Sequence, residues 1–316
     1  MGKLMFGIQI EPQFGFSYDD IVTIVKHAEK KGFHSVWFSD HFFLDDKAVN
    51  KNCFEAWTIL TAVAVQTTRI RLGTLVTCQS YRYPSLLAKI TSNVDVISNG
   101  RLEVGIGAGW KEIEYNAYGI PFPTASKRIK QMREAIIILK KMWTEDKATF
   151  EGEYYSIKNA INFPKPIQKP HPTVWVGGTG TKLLRVTAEV GDGLNFAWTL
   201  SPEKYKERLD VLKDYCAEMG RDFNKIRKSV GLITLIGENE SALEAKIRKE
   251  AEKRKMTPEK YLEVRKGFLI GTPDEVVERL REYEKLGVEL VIFMFPYGHE
   301  FESIDLIEKH IIPSFK

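Results

Sequence analysis

Short apolar runs alternate with amphipathic segments along the whole chain, and this alternation strongly limits the folds open to it. Strands separated by amphipathic helices build parallel sheets through right-handed crossovers, and eight such strands close a barrel. The sequence therefore predicts the α/β class and a single (β/α)8 TIM barrel domain with insertions over residues 1–316. The predicted strands cover residues 4–10, 35–39, 70–76, 101–106, 173–176, 193–196, 228–236 and 290–295.

Helix start and stop signals define the first and last crossovers. Ser17 precedes a first turn with two aspartates, and Gly32 follows the last periodic residue of that segment, as expected of an N-cap and a C-terminal glycine. Thr272 is followed by Pro, Asp and Glu, which predicts a capping box, and Gly287 ends that helix. Two stretches are predicted insertions: a hairpin at 150–157 before a proline-rich segment, and a charged helical region at 238–266.

Charge and cysteine content narrow the class of protein. The formal net charge is +4 over 316 residues, and the charges are scattered, so neither nucleic acid nor a membrane surface is a predicted partner. No stretch is long and apolar enough to span a bilayer, and Cys53, Cys78 and Cys216 lack disulfide or zinc-ligand spacing. We expect a cytoplasmic protein with a small-molecule partner.

Reactive groups in a barrel of this kind follow the carboxyl ends of the strands. Asp40 and His41 follow the second predicted strand and could serve proton chemistry or bind a ring carbonyl. An Asp-His turn that bonds loop amides is the alternative. The third strand leads through Leu75, Val76 and Thr77 towards Arg82; a planar ring could rest there, but an ordinary buried strand is the alternative.

Glycines follow the fourth and fifth predicted strands. Gly107 permits close backbone approach and Trp110 offers an aromatic surface, but the partner acid of a Rossmann unit is missing, so we reject a dinucleotide fingerprint. The fifth strand leads into a helix whose free amides could receive a phosphate, although a tight turn is the alternative. This loop comprises Gly177, Gly178, Thr179, Gly180 and Thr181.

None of the six histidines has a metal-like partner at ligand spacing, and no metal site is predicted. His299 follows the last strand and could border a substrate, but rim exposure is equally compatible with its place.

Several segments together resemble the luciferase-like flavin and deazaflavin oxidoreductases. They are the Asp-His pair after the second strand, GTLVTCQSYRYPSLLAK, NGRLEVGIGAGWKEIEYNAYGIPF and VWVGGTGTKLL with GDGLN. The segments EGEYYSIKNA and GTPDEV are similar to the branch that depends on coenzyme F-420. The resemblance covers nearly the whole chain.

The resemblance implies a coenzyme ring over the barrel mouth, with its phosphate held at 177–181. It also implies a non-prolyl cis peptide at Leu75–Val76, behind the ring, and places Asp40 and His41 near the ring oxygen and the transferred hydride. Glu11 stands near a catalytic acid of the sugar-phosphate dehydrogenases in this family. The Lys and Arg residues that bind substrate phosphate in those enzymes have no clear counterparts here, so that activity is not expected.

These observations give three sets of predicted site residues. The catalytic residues are His41, Asp40 and Glu11; the cofactor-binding residues are Asp40, Leu75, Val76, Thr77, Gly107, Trp110, Gly177, Gly178, Thr179, Gly180 and Thr181; the substrate residues are Arg82, Trp198 and His299.

The first functional hypothesis is hydride transfer between coenzyme F-420 and a small organic substrate, with His41 or Glu11 handling a proton. The second is an FMN-dependent monooxygenase of the same fold, and the third is a flavin-binding protein without catalysis. Asp40 and His41 favour the first hypothesis. By family resemblance we expect a homodimer or a higher homo-oligomer.

Overall fold

The structure is a computed structural model that describes residues 3–178, 180–198 and 201–315. Its strands are β1 (Met5–Ile10), β2 (Ser35–Phe38), β3 (Arg71–Cys78), β4 (Leu102–Gly107), β5 (Ala148–Glu151), β6 (Ser156–Ala160), β7 (Val174–Gly177), β8 (Gly193–Trp198), β9 (Arg227–Ile236), β10 (Leu269–Gly271) and β11 (Leu290–Met294). Its α-helices are α1 (Tyr18–Lys30), α2 (Ala56–Gln66), α3 (Pro84–Ile97), α4 (Glu112–Ala117), α5 (Ala125–Thr144), α6 (Thr181–Val190), α7 (Pro202–Glu218), α8 (Glu240–Lys253), α9 (Pro258–Val264), α10 (Pro273–Lys285) and α11 (Glu300–Leu306).

Parallel pairing closes the sheet into a barrel. The strands follow one another in the order β1, β2, β3, β4, β7, β8, β9 and β11, and β11 pairs with β1. All eight predicted strands are present in this barrel, with ends shifted by small amounts. The predicted (β/α)8 TIM barrel is therefore confirmed.

Large side chains fill the barrel interior near the amino ends of the strands. Trp37 and Trp175 meet edge to face with ring centroids 6.2 Å apart, and Nε1 of Trp175 donates a 2.7 Å hydrogen bond to Glu103. A Cβ atom on Gly73 would lie 2.5 Å from the Trp37 ring, so glycine is needed to admit that ring. Because Glu103 and Gly73 lie near the amino ends of their strands, this packed floor leaves the carboxyl ends as the side where a site can form.

The helix caps predicted from the sequence are present. The amide of Asp20 donates a 3.1 Å hydrogen bond to Ser17 Oγ, and Asp20 Oδ2 accepts a 2.9 Å bond from the Ser17 amide. Thr272 and Glu275 form the second capping box, in which the Thr272 amide donates a 2.7 Å bond to Glu275 Oε2. Gly32 follows α1 with a φ of +81°, a conformation that favours glycine.

Both predicted insertions are confirmed, with one additional strand. β5 and β6 form an antiparallel hairpin, and α8 and α9 make up the charged helical region. The sequence analysis missed β10, which pairs in parallel with the end of β9. Its three residues are too few to show an alternating pattern. Within the described ranges, no helix has the length and apolar character needed to cross a bilayer.

Candidate active site

A cavity of about 590 Å³ opens at the carboxyl ends of the barrel strands. This volume is within the usual range of small-molecule sites. Many predicted residues line it: Glu11, Asp40, His41, Leu75, Val76, Gly107, Trp110, Gly177, Gly178 and Trp198. Thr179, which was also predicted, lies outside the described residues.

A buried carboxylate holds His41 at the cavity wall. Nδ1 of His41 lies 2.8 Å from Oε2 of Glu114, whose side chain is fully buried in the first turn of α4. Glu114 also accepts a 2.7 Å hydrogen bond from the Tyr81 hydroxyl and a 2.8 Å bond from the Phe42 amide. Because an ionised carboxylate only accepts hydrogen bonds, Nδ1 carries the proton and Nε2 is the nitrogen left for a ligand.

Glu114 is ionised at neutral pH. Burial by itself would raise the pKa of this carboxyl, but the hydrogen bond and charge of His41, together with the bonds from Tyr81 and the Phe42 amide, lower it to about 2. Lys111 adds an ion pair, with Nζ 3.1 Å from Oε1 of Glu114. The imidazole is thus oriented by a fixed negative charge.

The carboxylate of Asp40 is fully engaged by its neighbours. Arg82 donates two hydrogen bonds, of 2.7 Å to Oδ2 and 2.9 Å to Oδ1, and the Cys78 amide donates a third of 3.0 Å. Asp40 lines the cavity, but this bidentate pair makes it an orienting group more than a free acid. Arg82 also pairs with Glu55, and it lines two neighbouring surface pockets and not this cavity. Its substrate contact stays a prediction.

Glu11 lies at the cavity edge after β1. It is 9% exposed, and Gln9 donates a 2.8 Å hydrogen bond to its Oε1 atom. Gln13 donates to the Oε2 atom. The Gln9 amide also donates to the carbonyl of Leu75 at 3.3 Å, so Glu11 is tied to β3. Glu11 therefore stays a candidate for proton transfer beside His41.

β3 has the irregularity that the resemblance implied. The Leu75–Val76 peptide is cis, and the register with β4 shifts between Thr74 and Thr77. A Cβ atom on Gly107 or on Gly177 would lie 2.5 Å from Val76, so both glycines admit this side chain. Thr77 is buried, donates a 2.8 Å hydrogen bond to Thr74 and does not line the cavity, so its cofactor contact stays a prediction.

The predicted phosphate loop follows β7. Gly178 has a φ of +128°, and its amide donates a 3.2 Å hydrogen bond to the carbonyl of Asn195. Gly180 is the N-cap of α6 and offers no side-chain cap, and Thr181 begins the helix. Gly180 and Thr181 do not line the cavity, so a phosphate here would lie beyond a ring bound inside it. The first amides of a helix have no intrahelical acceptor and can receive such a group.

Two tryptophans border the cavity, whereas His299 does not. Trp110 is 72% exposed, and its ring meets the His41 ring edge to face at 5.7 Å. Trp198, at the end of β8, lines the cavity as predicted. His299 is buried, its Nε2 atom lies 3.2 Å from Glu250 of α8, and burial lowers its pKa. The structure therefore does not bring His299 into this cavity, and its substrate contact stays a prediction.

Sequence reasoning missed Glu114, Tyr81 and Asn195. Glu114 is one of two glutamates in the loop after the fourth predicted strand, and nothing in the local pattern distinguishes the buried one. Its partner His41 lies 73 residues away, so the contact exists only in the closed barrel. Asn195 lies within β8 and lines the cavity. A polar residue in an otherwise apolar strand is a signal that could have identified it from the sequence.

The fold and the cavity define a (β/α)8 barrel protein with a cavity of small-molecule size at the carboxyl ends of its strands. A family model described as luciferase-like monooxygenase matches residues 4 to 290. The chain belongs to the luciferase-like monooxygenase family, which confirms the family predicted from its motifs.

Similar proteins match along nearly the whole chain. A 5,10-methylenetetrahydromethanopterin reductase from Archaeoglobus fulgidus is 30% identical, over 99% of this chain and 100% of the relative. An F-420-dependent glucose-6-phosphate dehydrogenase from Microbacterium testaceum is 28% identical, over 99% of this chain and 98% of the relative. The solved coenzyme F-420-dependent tetrahydromethanopterin reductase from Methanopyrus kandleri has the same fold, with a TM-score of 0.80 at 23% identity and 100% coverage of both chains.

Proposed function

We propose that this protein is an oxidoreductase that transfers a hydride between coenzyme F-420 and a small organic substrate. The observation that carries the proposal is the mouth cavity, which joins His41, held by Glu114, to the Leu75–Val76 segment of β3. Two of the similar proteins, a dehydrogenase and a reductase, are named for their dependence on this coenzyme.

The cavity residues fit a planar coenzyme with a phosphate. Gly107 and Gly177 line the cavity together with Val76, so two of these three positions present only backbone to a bound ring. Apart from the chain neighbours of Gly180, no described residue has an atom within 4 Å of its Cβ position, which supports an open space before α6 for a phosphate. When bound, the coenzyme supplies a ring carbon that gives or takes the hydride.

The protein's own groups would orient the substrate and handle its proton. His41 offers Nε2 to the cavity while Glu114 fixes the ring, an arrangement suited to general acid or base work on a hydroxyl or carbonyl oxygen. Glu11 is a second proton carrier within the same cavity. Trp110 and Trp198 border the cavity, where their rings would limit water near the reacting atoms.

Fluorescence titration tests the cofactor assignment directly. We expect coenzyme F-420 to bind more tightly than FMN, and we expect reduced coenzyme to be oxidised by an accepted substrate. Tight FMN binding with no measurable affinity for the deazaflavin would instead establish the FMN-dependent monooxygenase. Binding of F-420 without turnover on any alcohol, carbonyl or imine would favour a non-catalytic carrier.

We further propose a homo-oligomer in a reducing, cytoplasmic setting. Val65 on α2 and Leu86 and Ile97 on α3 are exposed apolar side chains, which supports association through these helices. Cys53, Cys78 and Cys216 are all free, which supports a reducing compartment. Light scattering after size-exclusion chromatography measures the oligomeric state. A monomer at micromolar concentration would contradict the proposed homo-oligomer.

A further inference from the structure

A second chamber adjoins the mouth cavity beside the α8–α9 insertion. Its volume is about 480 Å³, and it shares Phe14 and Met294 with the mouth cavity. Phe14 follows β1 and Met294 ends β11, so both spaces lie at the carboxyl ends of strands. The lining residues are Phe14, Lys51, Ile233, Arg254, Tyr261, Arg265, Phe268, Met294, Phe295, Pro296 and Tyr297.

Three cations line the second chamber, and two of them, Arg265 and Lys51, form no ion pair with a described residue. The third, Arg254, is paired with Glu250 of α8. Arg265 has no carboxylate partner in the described part of the chain, and its Nε atom is buried with no hydrogen-bond acceptor there. Lys51 likewise forms no ion pair with a described residue. Because Arg265 lines the chamber and no described carboxylate pairs with it, a bound anion could form a charge-assisted hydrogen bond with its guanidinium group.

The other walls of the second chamber favour an apolar ligand body. The Arg265 guanidinium carbon lies 5.6 Å from the centroid of the Tyr261 ring and 4.8 Å from that of Phe268. Besides the hydroxyl groups of Tyr261 and Tyr297 and the three cations, the described side chains that line the chamber are apolar. Sugar hydroxyls would therefore lose water without gaining comparable partners, whereas an aromatic group would bury favourably.

We propose that the second chamber binds the anionic end of the substrate, and that this substrate is an aromatic or otherwise apolar carboxylate or phosphate instead of a sugar phosphate. The inference rests on the proposed function, which places hydride transfer in the mouth cavity. A substrate that passes between Phe14 and Met294 would reach from Arg265 into the mouth cavity. Arg265 would then select the substrate while His41 acts at its other end.

Calorimetric titration of the intact protein, with and without saturating F-420, tests this assignment. The probes are phenylacetate and phenyl phosphate as aromatic anions, benzyl alcohol as a neutral aromatic, and glucose 6-phosphate as a polar anion. We expect at least one aromatic anion to bind about tenfold more tightly than benzyl alcohol and glucose 6-phosphate. The stronger of the two aromatic anions identifies the substrate as a carboxylate or a phosphate.

Arg265→Gln should weaken the aromatic anion by about tenfold while leaving benzyl alcohol and F-420 binding unchanged. Lys51→Gln should also weaken binding of the aromatic anion. It replaces Arg265→Gln in the titrations if the Arg265 variant unfolds below the assay temperature. Arg248→Gln is the matched control, because Arg248 pairs with Glu244 on the exposed face of α8.

Three results would overturn the inference: neither aromatic anion binds, glucose 6-phosphate binds as tightly as they do, or Arg248→Gln weakens binding as much as Arg265→Gln. If the unmodified protein does not bind F-420, the proposed function is overturned instead. The titrations without coenzyme separate these two failures.

Discussion

Nδ1 of His41 lies 2.8 Å from Oε2 of Glu114, although the two residues follow different barrel strands, β2 and β4. Glu114 is also held by the Tyr81 hydroxyl at 2.7 Å and the Phe42 amide at 2.8 Å. The position of the carboxylate is therefore set by the scaffold, and the imidazole takes its orientation from it.

His41→Ala should lower hydride-transfer turnover by about a hundredfold, because general acid-base assistance is typically worth that much. Stability should fall moderately, because the largely buried imidazole is lost, but Glu114 keeps its bonds from Tyr81 and the Phe42 amide, so the protein should stay folded. Single-turnover oxidation of reduced F-420 and a melting curve measure the two effects. His27→Ala, which removes a histidine paired with Asp305 outside the site, is the control. A variant that turns over normally but melts far lower would make His41 a structural turn residue.

Glu114→Gln should flatten the acid dependence of stability. The pKa of Glu114 in the folded protein is about 2, below the usual 4.5, so its contribution is fully present above about pH 4.5 and is lost as the pH falls towards 2. We expect the variant to be less stable at pH 7 and to lose less on acidification through that window. Urea unfolding at pH 7, 4.5 and 3 measures this, with the exposed Glu151→Gln as control. Parallel pH profiles for parent and variant would show that Glu114 is not the group responsible.

Gly180→Asp should weaken F-420 binding by about tenfold or more, whereas Gly180→Asn should weaken it much less. Asp and Asn both cap helices well, and a Cβ atom at Gly180 would have no described residue within 4 Å besides its chain neighbours, so the fold should tolerate both variants equally. Only the aspartate repels a phosphate at the start of α6. Fluorescence titration compares the two variants. Equal affinities would move the phosphate away from this loop.

Arg82→Gln should destabilise the fold by about 3–5 kcal/mol, because it leaves the buried carboxylate of Asp40 without its cation and also breaks the ion pair with Glu55. Arg133→Gln breaks the more exposed pair with Glu189 and should cost about 1 kcal/mol or less. Chemical denaturation of the two variants gives the comparison. Similar losses in both would mean that the Arg82–Asp40 pair adds no more than a surface ion pair.

The barrel could be predicted from the sequence because its signals are local. Each barrel strand is a short apolar run, and the cap residues Ser17 and Thr272 mark where helices begin. β10 was missed because it gains its strand geometry from pairing with β9, not from its own sequence. The cis peptide at Leu75–Val76 was implied by family motifs and has no periodic signature of its own.

The sequence could predict single site residues at the ends of strands, but not the contacts between them. Position after a strand indicated His41, the family resemblance indicated Glu11, and both line the cavity. The sequence could not show that Arg82 would turn away to pair with Asp40, or that α8 would bring Glu250 against His299. Such pairings join residues far apart in the chain, and they depend on how the loops fold over the barrel.

β9 contributes to two sheets at once. Its residues up to Ile233 pair with β11 inside the barrel, and Thr234 to Ile236 pair with β10 outside it. The α8–α9 segment is thus anchored at its start by the end of β9 and at its end by β10, as an attached module with its own small core around Tyr261. Evolution could replace or reshape this module to admit new substrates while the hydride-transfer machinery stayed intact, so chains of this architecture should diverge fastest here.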